Sequence, residues 1–144
     1  MEEWAVTIQL RSRQTLDGET AELEQRAVGT LSTDGRVWCL RYREPGEEGG
    51  ETSLTLRAGE AVLERAGSLA TRLRFRTGAV CPGRLEMPAG ALELLVETEY
   101  LGHALSEGGG RVMLRYRLSA QGQSMGRFTL QLRIRPAESA GANP

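Results

Sequence analysis

The sequence predicts an all-β fold, an antiparallel up-and-down meander closing into a barrel of eight to ten strands. Three observations carry that reading. Between Ala91 and Arg135, the inner face falls on even positions: Leu92, Leu94, Val96, Thr98 and Tyr100, then Val112, Leu114, Tyr116 and Leu118, then Phe128, Leu130, Leu132 and Ile134. Charged residues fill the odd positions, among them Glu93, Glu97, Arg115, Arg117, Arg133 and Arg135. Strand side chains alternate between faces, so this is the pattern of three strands with one apolar face each. Turn signals recur at hairpin distance along the whole chain. Nowhere do apolar residues recur at helical spacing over three turns.

The elements follow in order. A first strand, about Trp4 to Gln14, turns its Trp4, Val6, Ile8 and Leu10 inward. Asp17-Gly18 signals a two-residue turn needing positive φ at both positions, and it sets Ile8 opposite Ala27, Val6 opposite Gly29 and Trp4 opposite Leu31. Gly29 then leaves room for the Trp4 indole. Asp34-Gly35 repeats the signal and places Leu31 against Trp38, Gly29 against Leu40 and Ala27 against Tyr42. The third strand faces Trp38, Leu40, Tyr42 and Glu44 inward. After a polar loop, Pro45 to Glu51, comes a fourth strand, Thr52 to Arg57. A turn at Gly59-Glu60 leads to a fifth, Ala61 to Arg65, with Leu63 opposite Leu56 and Arg65 opposite Leu54. The sixth strand turns Leu69, Thr71, Leu73 and Phe75 inward. The seventh, Val80 to Met87, carries Pro82 and Gly83, which point to a bulge or an edge.

Pro88-Ala89-Gly90 leads into the alternating stretch. His103 to Gly110 reads as a loop between the eighth and ninth strands, with Glu99 across from Arg115, Glu97 from Arg117 and Thr98 from Tyr116. Exposed pairs of this kind contribute about 0.2–1 kcal/mol each and chiefly set register. The even-numbered inner faces of the last two strands require an odd loop, Gln121-Gly122-Gln123. Ten strands with one apolar face exceed what an open twisted sheet holds, which favours closure. A β-sandwich is the alternative, and the lack of long crossovers argues against it.

The 144 residues form one domain, residues 1–136, followed by a small polar tail, 137–144, expected to be disordered. Arg and Lys total 18 against 19 acids, for a formal charge of −1, so there is no net pull toward nucleic acid or anionic membrane. All the basic residues are Arg, a bias that fits a GC-rich genome. No apolar run is long enough to span a bilayer, and MEEWAVTIQL lacks the pattern of a signal peptide. Cys39 and Cys81 read as two reduced thiols, and the cytoplasm is the expected compartment.

Particular pieces resemble the YwiB-like family, small bacterial proteins with a calycin-like (lipocalin-related) β-barrel. They are Gly29 late in the second strand, Tyr42-Arg43-Glu44, Thr52, Arg65-Ala66-Gly67, and Phe75 followed by Gly78. To these are added Pro88-Ala89-Gly90 leading into ALELLVET, then VMLRYRLSAQGQSMGRFTLQLRI. Their order and spacing carry the resemblance from about Val6 to Ile134. One departure is the absence of an aromatic residue around Cys81–Arg84. The resemblance implies a calycin-like barrel and brings no activity with it.

The sequence holds one histidine, so a Ser-His-Asp or Cys-His arrangement would have to use His103, which reads instead as an exposed loop residue. Neither cysteine has metal-ligand spacing, no phosphate-cradling motif is present, and no metal, cofactor or catalytic set is expected. The sharper candidate is the pair Glu44 and Arg65 on the inner face. Its structural reading is a salt bridge closing one barrel end, since buried charges persist only when paired. Its functional reading is that Arg65, with Glu44, Tyr42, Tyr116 and Thr98, binds a small amphipathic or acidic molecule, as a barrel of this size can. The outward arginines, Arg115, Arg117, Arg133 and Arg135 among them, could hold phosphates. Adjoining glutamates and the lack of an exposed aromatic set argue against nucleic acid as a partner. The expected function is therefore non-enzymatic binding of a small ligand. The alternative is an interaction module using an outer face or a strand edge, with a homodimer as one form.

Overall fold

Ten antiparallel strands form a closed barrel in which each strand pairs with the next in sequence and the last returns to the first. The computed structural model describes residues 1–43, 50–67 and 69–137. The strands are β1 (Glu2–Leu16), β2 (Glu19–Thr33), β3 (Trp38–Arg43), β4 (Glu51–Arg57) and β5 (Glu60–Arg65), then β6 (Thr71–Arg76), β7 (Val80–Met87), β8 (Gly90–Ser106), β9 (Gly109–Ala120) and β10 (Gln123–Pro136). Closure runs from Val6↔Pro136 to Thr15↔Arg127. Of Glu44, only the position in sequence can be given, because it lies outside the described residues, as do most of the tail and Ser68.

Alternation places the core as expected. Val6, Ile8, Leu31, Leu40, Leu54, Leu56, Phe75, Val96 and Leu114 are all fully buried. Asp17 and Gly18 have φ of 52° and 78°, and the resulting register sets Ile8 against Ala27 and Trp4 against Leu31 as predicted. One end of the barrel is closed by Trp4 and Trp38, whose rings stack with centroids 6.1 Å apart.

Several turns differ from the sequence reading, and each difference slides a strand. The β2–β3 connection has four residues, 34–37, not two, because the Asp34 carboxylate accepts hydrogen bonds from the Arg36 and Val37 amides at 2.9 Å. Those two bonds hold the Asp34 carboxyl below the usual carboxylate range. Gly29 consequently faces Tyr42, and Leu31 faces Leu40. A Cβ on Gly29 would lie 2.1 Å from the Arg41 carbonyl oxygen, so glycine permits the close approach of β2 to β3 rather than room for Trp4. The β4–β5 turn is Ala58-Gly59, with Gly59 at φ 73°, and not Gly59-Glu60. Leu54 therefore meets Leu63, and Arg65 meets Thr52. Leu69 is exposed in the loop before β6 instead of facing inward.

Two bulges complete the corrections. In β8 the register shifts between Thr98 and Tyr100, so Tyr100, not Glu99, sits opposite Arg115. From there the face inverts and Leu101 meets Leu114. His103 to Ser106 continue the strand, and the predicted loop shrinks to a turn at Glu107-Gly108. In β10 the shift lies between Ser124 and Gly126. The Gln121-Gly122 turn is thus of even length, and the odd residue that the matching faces require is supplied by the bulge.

Candidate functional site

Among the described residues, β2 pairs with β3 over Gly29–Thr33, and the β1–β2 hairpin runs on past that ladder to the Asp17-Gly18 turn. β9 and β10 run alongside it, and Gln14↔Phe128 and Ser12↔Leu130 continue the inner face out to the mouth. Opposite stand the ends of β5 and β6. Between them lies a cleft of about 450 Å³, whose apolar wall includes Leu63, Leu73, Leu118, Phe128 and Leu130. Arg65, Thr71, Ser12 and Gln14 line the same cleft. The size falls in the range of about 300–1,000 Å³ usual for small-molecule sites.

The structure brings two of the predicted site residues together here. Arg65 is exposed at the mouth, in the row Tyr42–Thr52–Arg65–Thr71 that crosses β3 to β6. Tyr116 lies deeper, 7% exposed, with its ring stacked 5.3 Å from Phe128 and edge-on to Phe75 at 4.8 Å. Among the described residues its hydroxyl has no hydrogen-bond partner. Burial pushes the Tyr116 phenol up to about 12, against the opposing pull of the Arg65 charge. An apolar pocket with a cation at its rim and an uncommitted hydroxyl in its wall can take an amphipathic molecule bearing an acceptor or an acid.

The other predicted residues are placed differently. Tyr42 is buried in the core at 4% exposure, in the same row but away from the residues that line the cleft. Tyr42, Thr52 and Arg65 all have partners within the protein. Thr98 acts as a clasp. β6 and β7 share only three ladder pairs, Thr71↔Leu85, Arg72↔Arg84 and Leu73↔Gly83. Beyond them the Thr98 hydroxyl accepts a hydrogen bond from the Arg76 amide at 3.1 Å. The Thr98 carbonyl accepts from Gly78, and its amide donates to Ala79, each at 3.2 Å. Thr98→Val is therefore expected to lower stability by about 1–3 kcal/mol, the cost of stranding the Arg76 amide, without altering the cleft. Urea unfolding of the variant checks this, and an unchanged midpoint would remove the clasp role.

His103 reaches across the opposite end of the barrel, where its Nε2–H donates to the Arg57 carbonyl at 3.3 Å. It is half-buried in β8 rather than exposed in a loop. No cluster of His, Cys, Asp and Glu suited to a metal ion occurs among the described residues. No helix among them is long and apolar enough to cross a membrane. Phe128, Leu118 and Leu23 also line the cleft and are not among the site residues predicted from sequence. Alternation is the available signal, since it puts Phe128 on the inner face with Leu130, where it pairs with Tyr116.

Comparison with known proteins agrees with this architecture. The family model described as "Domain of unknown function (DUF1934)" matches residues 8–132. The Bacillus subtilis (strain 168) "Uncharacterized beta-barrel protein YwiB" is 28% identical over 116 residues, or 80% of this chain and 82% of that protein. The crystal structure of ywiB protein from Bacillus subtilis superposes with a TM-score of 0.84 at 24% identity, covering 94% of each chain. At that identity the structural likeness speaks for the fold alone.

Proposed function

The chain belongs to the DUF1934 family, and from that premise we propose that it is a non-enzymatic, calycin-like binder of a small amphipathic acid. The cleft at the barrel mouth carries this reading, with its apolar wall, the Arg65 guanidinium at the rim and the Tyr116 hydroxyl facing in. The apolar body of the ligand lies against Leu63, Leu73, Leu118 and Phe128, and its acid group meets Arg65 in a charge-assisted hydrogen bond. The two unpaired thiols, Cys39 and Cys81, fit a cytoplasmic compartment.

Native mass spectrometry of protein purified gently from its own host tests the proposal. The expected result is a stoichiometric small molecule that is lost on denaturation and absent from Arg65→Ala. Added medium-chain and aryl carboxylates should raise the melting temperature of the wild type, as preferential native-state binding requires. Arg65→Ala should weaken such a ligand by roughly 10- to 150-fold, the loss of one hydrogen bond to a charged group. A bare mass, together with no thermal shift at millimolar carboxylate, would sink the reading.

A second reading rests on the Glu19–Val28 stretch of β2, which has no strand partner on its side away from β1 among the described residues. Val28 is 72% exposed there, and Leu23 is 53% exposed. Glu19, Glu22, Glu24 and Arg26 guard the same edge with charge, which disfavours strand addition. Mass that rises with concentration in light scattering would favour this reading over the first.

A further inference from the structure

The outer face of β9 and β10 is a second, separate feature. From Gly109 to Pro136 the chain has six arginines and no Asp or Glu, although its overall formal charge is −1. Arg117 and Arg127 share Glu99, at 3.7 and 2.9 Å. The other four, Arg111, Arg115, Arg133 and Arg135, are exposed and have no carboxylate partner among the described residues. Arg111 and Arg133 stand directly opposite each other on the ladder. Like charges so placed repel, and an anion between them relieves the repulsion. A hollow of about 260 Å³ lies at this pair.

The β8 bulge adds an aromatic ring to this face. By simple alternation Tyr100 would point inward with Thr98. The shift between Thr98 and Tyr100 turns it outward instead, beside Arg115, where it is 48% exposed. Its ring lies across the bare backbone of Gly102, where an added Cβ would sit 2.6 Å from the Tyr100 hydroxyl. The ring is thus laid along the sheet next to the unpaired arginines.

We propose that this face binds single-stranded nucleic acid, with phosphates on Arg111, Arg115, Arg133 and Arg135 and an unstacked base on Tyr100. Charge and stacking together are the recognition chemistry of such strands. Arg111 and Arg115 are four residues apart on one strand, roughly 13 Å. Several consecutive phosphates cover that span and a mononucleotide does not. A duplex keeps its bases stacked and offers none to a ring lying along a sheet.

Fluorescence anisotropy of a labelled oligouridylate, with the full chain as titrant, tests the proposal. Four phosphates neutralised on a single strand predict a log–log salt slope of about −2.8, or roughly a 50-fold loss between about 50 and 200 mM salt. The Arg111→Gln/Arg133→Gln variant should halve the slope, leaving about a sevenfold loss. Tyr100→Ala should weaken binding by about 5- to 150-fold with the slope unchanged. All these side chains are exposed, and unchanged melting temperatures confirm that the variants fold. No anisotropy change at low salt would overturn the proposal. So would undiminished binding by the double arginine variant, or equal competition by duplex DNA, mononucleotide or polyglutamate.

Discussion

Phe75→Ala is expected to destabilise the barrel by about 3–5 kcal/mol, the cost of removing a buried aromatic side chain and leaving a void. Phe75 is fully buried, and its ring meets the edge of Tyr116 with centroids 4.8 Å apart. It stands on β6 near the place where the β6–β7 ladder ends, so few ladder bonds are available to absorb a collapse around the void. That loss would consume a large share of the roughly 5–15 kcal/mol by which domains are stable. Phe75→Leu should cost less, because a leucine refills much of the volume. Urea denaturation at neutral pH measures both. A loss below about 1 kcal/mol for Phe75→Ala would mean that the ring does not hold the barrel at this point.

The second large effect is alkaline. The Tyr116 phenol sits at about 12 in the folded protein against an ordinary value of 10.0. Below pH 10 both folded and unfolded states keep the proton, and stability is intact. Between about pH 10 and 12 the unfolded state releases it first, so stability falls as pH rises. A shift of this size corresponds to about 2–3 kcal/mol across the window. Tyr116→Phe keeps the ring stacked on Phe128 and removes the titrating group. Its stability should therefore fall by about that much less than the wild type's over the same window. The comparison cancels every other ionisation, which both proteins share. Parallel stability–pH curves from pH 9 to pH 12 would refute the buried, un-ionised phenol.

Much of the fold was legible because alternation is local. Leu94, Val96, Val112, Leu114 and Leu132 declare their face through their immediate neighbours, whatever the rest of the chain does. The Asp17-Gly18 turn was equally local, since both residues need positive φ and one register follows from it. Turns that depended on a side chain were misread. Asp34-Gly35 looks like a tight hairpin, but two hydrogen bonds to the Asp34 carboxylate widen the loop and slide β3 by two residues. The site was read unevenly for the same reason. Arg65 and Tyr116 reach the cleft, whereas the Thr98 hydroxyl is taken by the Arg76 amide. No neighbour of Thr98 in sequence announces that partner 22 residues away.

By itself, then, the sequence determined that this chain is all β and which side chains make most of the core of its strands, and it favoured a closed meander over a sandwich. Tertiary structure alone decided where the cleft opens and which residues share a face beyond each bulge. Side chains on a strand repeat every two residues, so a single inserted residue inverts everything after it. Tyr100 is the sharpest case: alternation assigns it to the interior, and one extra residue at Glu99 puts it outside among the arginines. Whether a strand takes such a residue is set by the partner it must match across the barrel, not by its own neighbours.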